Sequence, residues 1–214
     1  MGYNSNKYCR KEWYNDTVDA RRKYIEKRLE LYAEGYDDEY DLTSAIKDGV
    51  VGKIFFSENA MSVLMNEWAT WLDCCSPIEK HVVSEIQRTG CYKIVTDQGT
   101  LRCDGLKLYD GARAKWNKYI NKKYPKKEDK ETRERMSLYC EHVIPTSEYK
   151  KKLKELYKPL RKLDLEDFKS VMNIVSICYI LKSENEKLPT TGWEWGDNPF
   201  ARYVDAGIKV WGQN

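Results

Sequence analysis

Apolar and polar residues alternate along this chain mostly with a helical period. Between Arg10 and Tyr36, Trp13, Val18, Tyr24, Ile25, Leu29, Leu31 and Tyr32 recur between charges, which predicts a long amphipathic helix. Thr17 offers an internal cap from which the helix could begin instead, and Gly35 is its expected stop. The stretch Leu42 to Asn59 is mixed, with Asp48-Gly49 read as a turn between short elements. A second helix is expected from Ser57 or Glu58 to Asp73, with Met61, Leu64, Met65, Trp68, Trp71 and Leu72 on its apolar face. Pro77 opens a third helix that runs to Thr89, with Gly90 as its terminator. Cys91 to Cys103 then reads as a hairpin turning at Asp97-Gln98-Gly99.

The pattern changes after a Lys/Glu-rich segment from Asn121 to Arg135, which reads as a solvated linker or exposed helix. Met136 to Val143 predicts a short apolar strand, and Tyr149 to Arg161 a basic helix. Leu165 to Lys182 is an apolar stretch, and an aromatic tail rich in Gly and Pro follows Pro189. In that tail Asn198-Pro199 starts a turn or short helix that Gly207 ends, an arrangement suited to docking on a core. These segments predict an α+β protein. A mainly helical region with a small hairpin spans residues 1–130, for specificity or partner binding, and a second module spans 131–214.

Composition narrows the classes. No apolar run reaches the roughly 18 residues a membrane helix needs, so no membrane association is expected. The first ten residues are polar and lack a signal-peptide core. The seven cysteines form no Cys-x-x-Cys pair, which suits reduced thiols and a cytoplasmic setting. The chain has only two histidines, so any imidazole chemistry must use His81 or His142. His81 lies in a helical pattern and is expected to be structural.

The densest chemical signal is Glu141-His142-Val143-Ile144-Pro145 at the end of the apolar strand. It is followed by Asn173 and by Ser183-Glu184-Asn185. A histidine titrates near neutral pH and suits proton abstraction from water. Carboxylate and amide oxygens suit Mg²⁺ or Mn²⁺. Net charge is only +3, yet residues 148–163 carry +5 and the remainder −2. The cations are Lys150, Lys151, Lys152, Lys154, Lys158, Arg161 and Lys162, placed where a phosphate backbone could be held. Lys115-Trp116-Asn117-Lys118-Tyr119 mixes aromatics with lysines, a pattern open to helix packing or to base stacking.

The stretch from Arg135 to Leu188 resembles the HNH nucleases, whose motif opens with an Asp/Glu-His pair, continues into an apolar pair and proline, and later supplies an Asn and a His or Asn. The resemblance implies a ββα-metal module. Glu141 would be a metal ligand, His142 the general base, and Asn173 the residue that holds the loop orienting it. Asn185 would be the further metal ligand, with Glu184 as its rival. This is an HNN-like variant, with Tyr149 to Phe168 as an insertion and without the family's zinc-binding cysteine pairs. It implies endonucleolytic hydrolysis of phosphodiester bonds in DNA with one Mg²⁺ or Mn²⁺ per site, and RNA as the alternative substrate. Cutting both strands would suit a homodimer, and phage or bacterial defence roles fit the family. The alternative is a non-catalytic HNH-like module that binds nucleic acid or protein.

Overall fold

The computed structural model describes residues 17–67, 77–96, 99–102, 104–159, 161–190 and 193–213. The start of the first expected helix, with Trp13, lies outside the described residues, as do Trp68, Trp71 and Leu72 and the hairpin tip at 97–98. Helix α1 spans Val18–Ala33 and is capped by the Thr17 hydroxyl, which accepts from the Ala20 amide at 3.1 Å. It buries Val18, Ile25 and Leu29, and Gly35 follows in the left-handed region at φ 78°. Helix α2 spans Glu39–Gly49 under an Asp38 cap, so Asp48-Gly49 forms its last turn rather than a separate one. Helix α3, Glu58–Asn66, starts at a Ser57 cap, and α4, Pro77–Thr89, ends at Gly90 as the sequence predicts. Helix α5 covers Asp104–Lys123 and α6 Lys130–Met136, so much of the Lys/Glu-rich segment is helical.

Among the described residues four strands form one mixed sheet: β1 (Lys53–Phe56), β2 (Tyr92–Lys93), β3 (Leu138–His142) and β4 (Ser176–Leu181), in the order β2-β1-β4-β3. Strand β4 is central, parallel to β1 and antiparallel to β3, and all six of its residues are buried. A strand covered on both faces reads as a continuous apolar run, which is why the stretch from Leu165 shows no alternation. That stretch divides into α8 (Leu165–Ile174), capped by Asp164, and β4. A 3-10 turn (Lys127–Asp129) and helices α7 (Thr146–Leu156), α9 (Lys182–Asn185) and α10 (Ala201–Asp205) complete the described elements.

The two faces of the sheet carry two cores. Ile54, Phe56, Ile177, Tyr179 and Leu181 face a large core shared with α1, α2, α4, α7 and α8. Phe56 and Tyr179, paired across the parallel register, stack at 4.8 Å. Phe55, Cys178 and Ile180 face a smaller core completed by Tyr203, Ile208 and Val210 of the tail. The tail therefore docks as its sequence predicts, with the Trp211 amide donating to the Phe56 carbonyl at 2.9 Å. The sheet crosses the expected boundary between residues 130 and 131. Strands β1 and β2 come from one side and β3 and β4 from the other, so both stretches share one core.

Strand β3 is an edge, and its outward backbone groups are covered at both ends. At its start the Asn117 side chain accepts from the Leu138 amide (2.9 Å) and donates to the Leu138 carbonyl (3.1 Å). At its finish Arg202 donates to the His142 carbonyl at 3.5 Å. The aromatic-lysine segment thus packs rather than presenting a stacking surface: Trp116 is fully buried and its indole donates to the Met136 carbonyl at 2.7 Å.

Candidate metal and nucleic-acid site

Glu141 and His142 close β3 and stand opposite Cys178 and Ile177 of β4. Successive side chains on a strand point to opposite faces, and directly opposed residues share a face. His142 therefore lies on the large-core side and Glu141 on the side of the C-terminal tail. The sequence predicts both groups at one point, and the pleat separates them.

His142 is only 7% exposed. Its Nε2 lies 3.1 Å from the Lys47 carbonyl at the end of α2, and its ring sits 6.0 Å from that of Tyr149 on α7. A carbonyl oxygen only accepts, so Nε2 carries the proton and Nδ1 the lone pair. Burial pushes the imidazole pKa down to about 4, against the hydrogen bond to Lys47, so the ring is neutral at neutral pH. A neutral ring with an unprotonated Nδ1 is the state a base requires; the burial is what a strut between β3 and α2 requires.

Glu141 is half-buried, and burial pushes its carboxyl pKa up, opposed by Arg202 and Lys47. The nearest Arg202 nitrogen stands 3.8 Å from its Oε1. Arg202 is itself 4% exposed and anchored by donation from Nε to the Pro189 carbonyl at 2.7 Å. Burying a guanidinium is tolerated because carbonyls and a carboxylate surround it. Sequence reasoning does not single out Arg202, because the aromatic docking tail also carries Glu194, Asp197, Asp205 and Lys209.

Glu184 is 4% exposed, and the fold uses its carboxylate fully. It accepts from the Ser57 hydroxyl (2.6 Å), the Asn59 amide (2.9 Å) and the Leu181 backbone (2.8 Å). It thereby ties the start of α9 to the start of α3, a structural duty that the sequence pattern does not distinguish from metal ligation. Asn185 ends α9. Leu138 pairs with Leu181, so α9 begins about three strand residues, or roughly 10 Å, from Glu141. Asn173 is exposed in the last turn of α8, at the end of the sheet where β3 finishes.

Among the described residues no group of three His, Cys, Asp or Glu side chains is placed to hold an ion. Glu141 keeps a carboxylate that the fold does not use up, whereas the Glu184 carboxylate is bound by Ser57, Asn59 and the Leu181 backbone. Of the expected Glu141/Asn185/Glu184 set, Glu184 is the member whose oxygens the fold already occupies.

The expected basic surface divides. Lys150 and Lys154 both bind Glu39 of α2, at 2.6 and 2.9 Å, and pull its carboxyl pKa down to about 2. Lys152 lies 3.7 Å from Glu155. Lys151, Lys158, Arg161 and Lys162 are exposed. Three of the seven cations thus join α7 to α2 or pair locally, and four face water. His81 is exposed and 3.6 Å from Glu85, whose carboxylate is gripped by Arg102 at 2.6 and 2.8 Å. No helix among the described residues is long and apolar enough to cross a membrane. No protein-family model, no curated protein and no solved structure matches this chain.

Proposed function

We propose that this chain is an HNH-like nuclease module that acts on DNA. One observation carries the reading: Glu141-His142 ends the first strand of an antiparallel pair, and a short helix follows the second strand directly. With α7 and α8 set aside as an insertion between the two strands, this order supports the ββα arrangement that the sequence resemblance implies. An Nε2 tied to a carbonyl leaves Nδ1 with the lone pair that a base role for His142 needs, and the exposed Lys151, Lys158, Arg161 and Lys162 support contact with phosphates. Mg²⁺ or Mn²⁺ dependence belongs to the reading through Glu141, and it requires a rearrangement at the end of β3.

A second reading rests on a different observation, the burial of His142 against α2 and α7. In that reading the module binds nucleic acid and the ββα part is scaffold. The two are separated by incubating the full chain with supercoiled plasmid and with RNA, with Mg²⁺ or Mn²⁺, beside Glu141→Gln and His142→Gln. Glutamine at 142 can still donate to the Lys47 carbonyl, so the strut survives. The nuclease reading expects nicked plasmid, with the His142 variant slowed about 10²- to 10⁴-fold. Intact plasmid and RNA with either ion, or full cutting by both variants, overturns it. Salt-sensitive plasmid binding without cutting supports the scaffold reading, and RNA cutting alone changes the substrate.

A further inference from the structure

A cavity of about 440 Å³ lies between α7 and the chain that precedes α10, away from Glu141. Two of its walls are indoles. Trp193 and Trp195 meet at 86° with centroids 5.8 Å apart, forming the corner of an aromatic box. Both are fixed in place. The Trp193 indole donates to the Asn198 carbonyl at 3.0 Å, and the turn from Glu194 to Asp197, which carries Trp195, is closed by the Asp197 carboxylate, which accepts from the Glu194 amide at 2.8 Å. Gly196 supplies the positive φ of 111° that this turn needs.

The charged lining favours a cation. Glu148, Glu155 and Glu194 face two ammoniums, those of Lys151 and Lys152. Lys152 and Glu155 stand 3.7 Å apart and offset each other, which leaves Glu148 and Glu194 against Lys151. A phosphate would meet a net negative wall, whereas an ammonium would meet carboxylates and the negative faces of two rings. The chain already places one cation there: the Lys152 Nζ lies 6.0 Å from the centre of the Trp195 ring. Such a preformed corner needs little ordering on binding.

We infer that this cavity binds an alkylammonium group through Trp195, Trp193, Glu194 and Glu148, with Lys152 as an internal competitor. The same chemistry is available from a free polyamine or from a lysine side chain of another polypeptide. The site stands independently of whether the chain cuts DNA.

The test follows the indole N–H signals of the full chain by NMR during titration with spermidine and, separately, with N-acetyl-lysine methylamide. Sodium chloride at matched ionic strength and inorganic phosphate serve as comparison probes. The Trp195 signal should shift and saturate with the ammonium probes. Tighter saturation by spermidine assigns a polyamine, and tighter saturation by the lysine amide a peptide source. Removing the ring in Trp195→Leu, read at Trp193, should weaken binding about three- to tenfold. Glu194→Gln should weaken it, and Lys152→Met should strengthen it by freeing the ring and removing a positive charge. Glu194 is exposed, so its variant tests the site without disturbing packing. Shifts that follow sodium chloride or phosphate equally well, or an unchanged midpoint in Glu194→Gln, overturn the inference.

Discussion

His142 gives the clearest prediction at the scale of single residues. Its pKa falls from an ordinary 6.5 to about 4 because the ring is buried, so between these values the unfolded chain takes up a proton that the folded one refuses. Stability is therefore full above about pH 6.5 and declines as pH falls toward 4. That displacement corresponds to about 3 kcal/mol over the window. Urea denaturation between pH 7 and pH 4 measures it, and His142→Gln should flatten this part of the profile. The Glu39 carboxyl, held near 2 by Lys150 and Lys154, loses its advantage only as pH falls below its ordinary 4.5, so the two effects are separable. An unchanged slope in the glutamine variant would show that His142 is accessible to protons in the fold. Glu141-His142 was legible as a chemical pair in sequence, but the pleat that divides its two side chains depends on which faces of the sheet are covered.

At the scale of elements, caps and terminators are largely legible. Gly35, Gly90 and Gly207 stand where the sequence places helix ends, each with the positive φ that favours glycine. Strand β3 and the basic helix after it are likewise found close to where the pattern predicts them. Strand β1 was not legible: four residues between two helices carry too little pattern to stand out from mixed sequence. The covering of β3 by Asn117 was not legible either, since it acts across 21 residues. Asn117→Ala removes both bonds to Leu138, and it should cost about 1 kcal/mol because water can reach part of the exposed edge. Hydrogen exchange at the Leu138 amide should accelerate, while amides in β4 keep their protection. Equal acceleration in β4 would mean that Asn117 supports the whole sheet rather than its edge.

At the scale of the molecule, the two stretches on either side of residue 130 are joined through Gly52. Its amide donates to the Val175 carbonyl, and its own carbonyl accepts from Ile94 and Val95. A Cβ there would stand 1.9 Å from the Met172 carbonyl oxygen, which is backbone and cannot move aside alone. Gly52→Ala should cost about 3 kcal/mol or more, seen as a lower urea midpoint for the whole chain in one transition. Two separate transitions, with only one displaced, would contradict the shared core.

What the sequence by itself determined is local: helix periodicity, caps, stops, the short strand at Glu141-His142 and the docking tail. These depend on neighbours a few residues away, whose spacing is written in the chain. The tertiary structure alone decided that β1 lies parallel to β4, that Glu184 is bound by Ser57 and Asn59, and that Lys150 and Lys154 of the basic run tie α7 to α2. It also decided that His142 and Glu141 look into different cores. A carboxylate reads alike in sequence whether it awaits a metal or a serine hydroxyl. Only the arrival of distant residues tells the two apart, because the energy of a buried charge is set by what surrounds it in space.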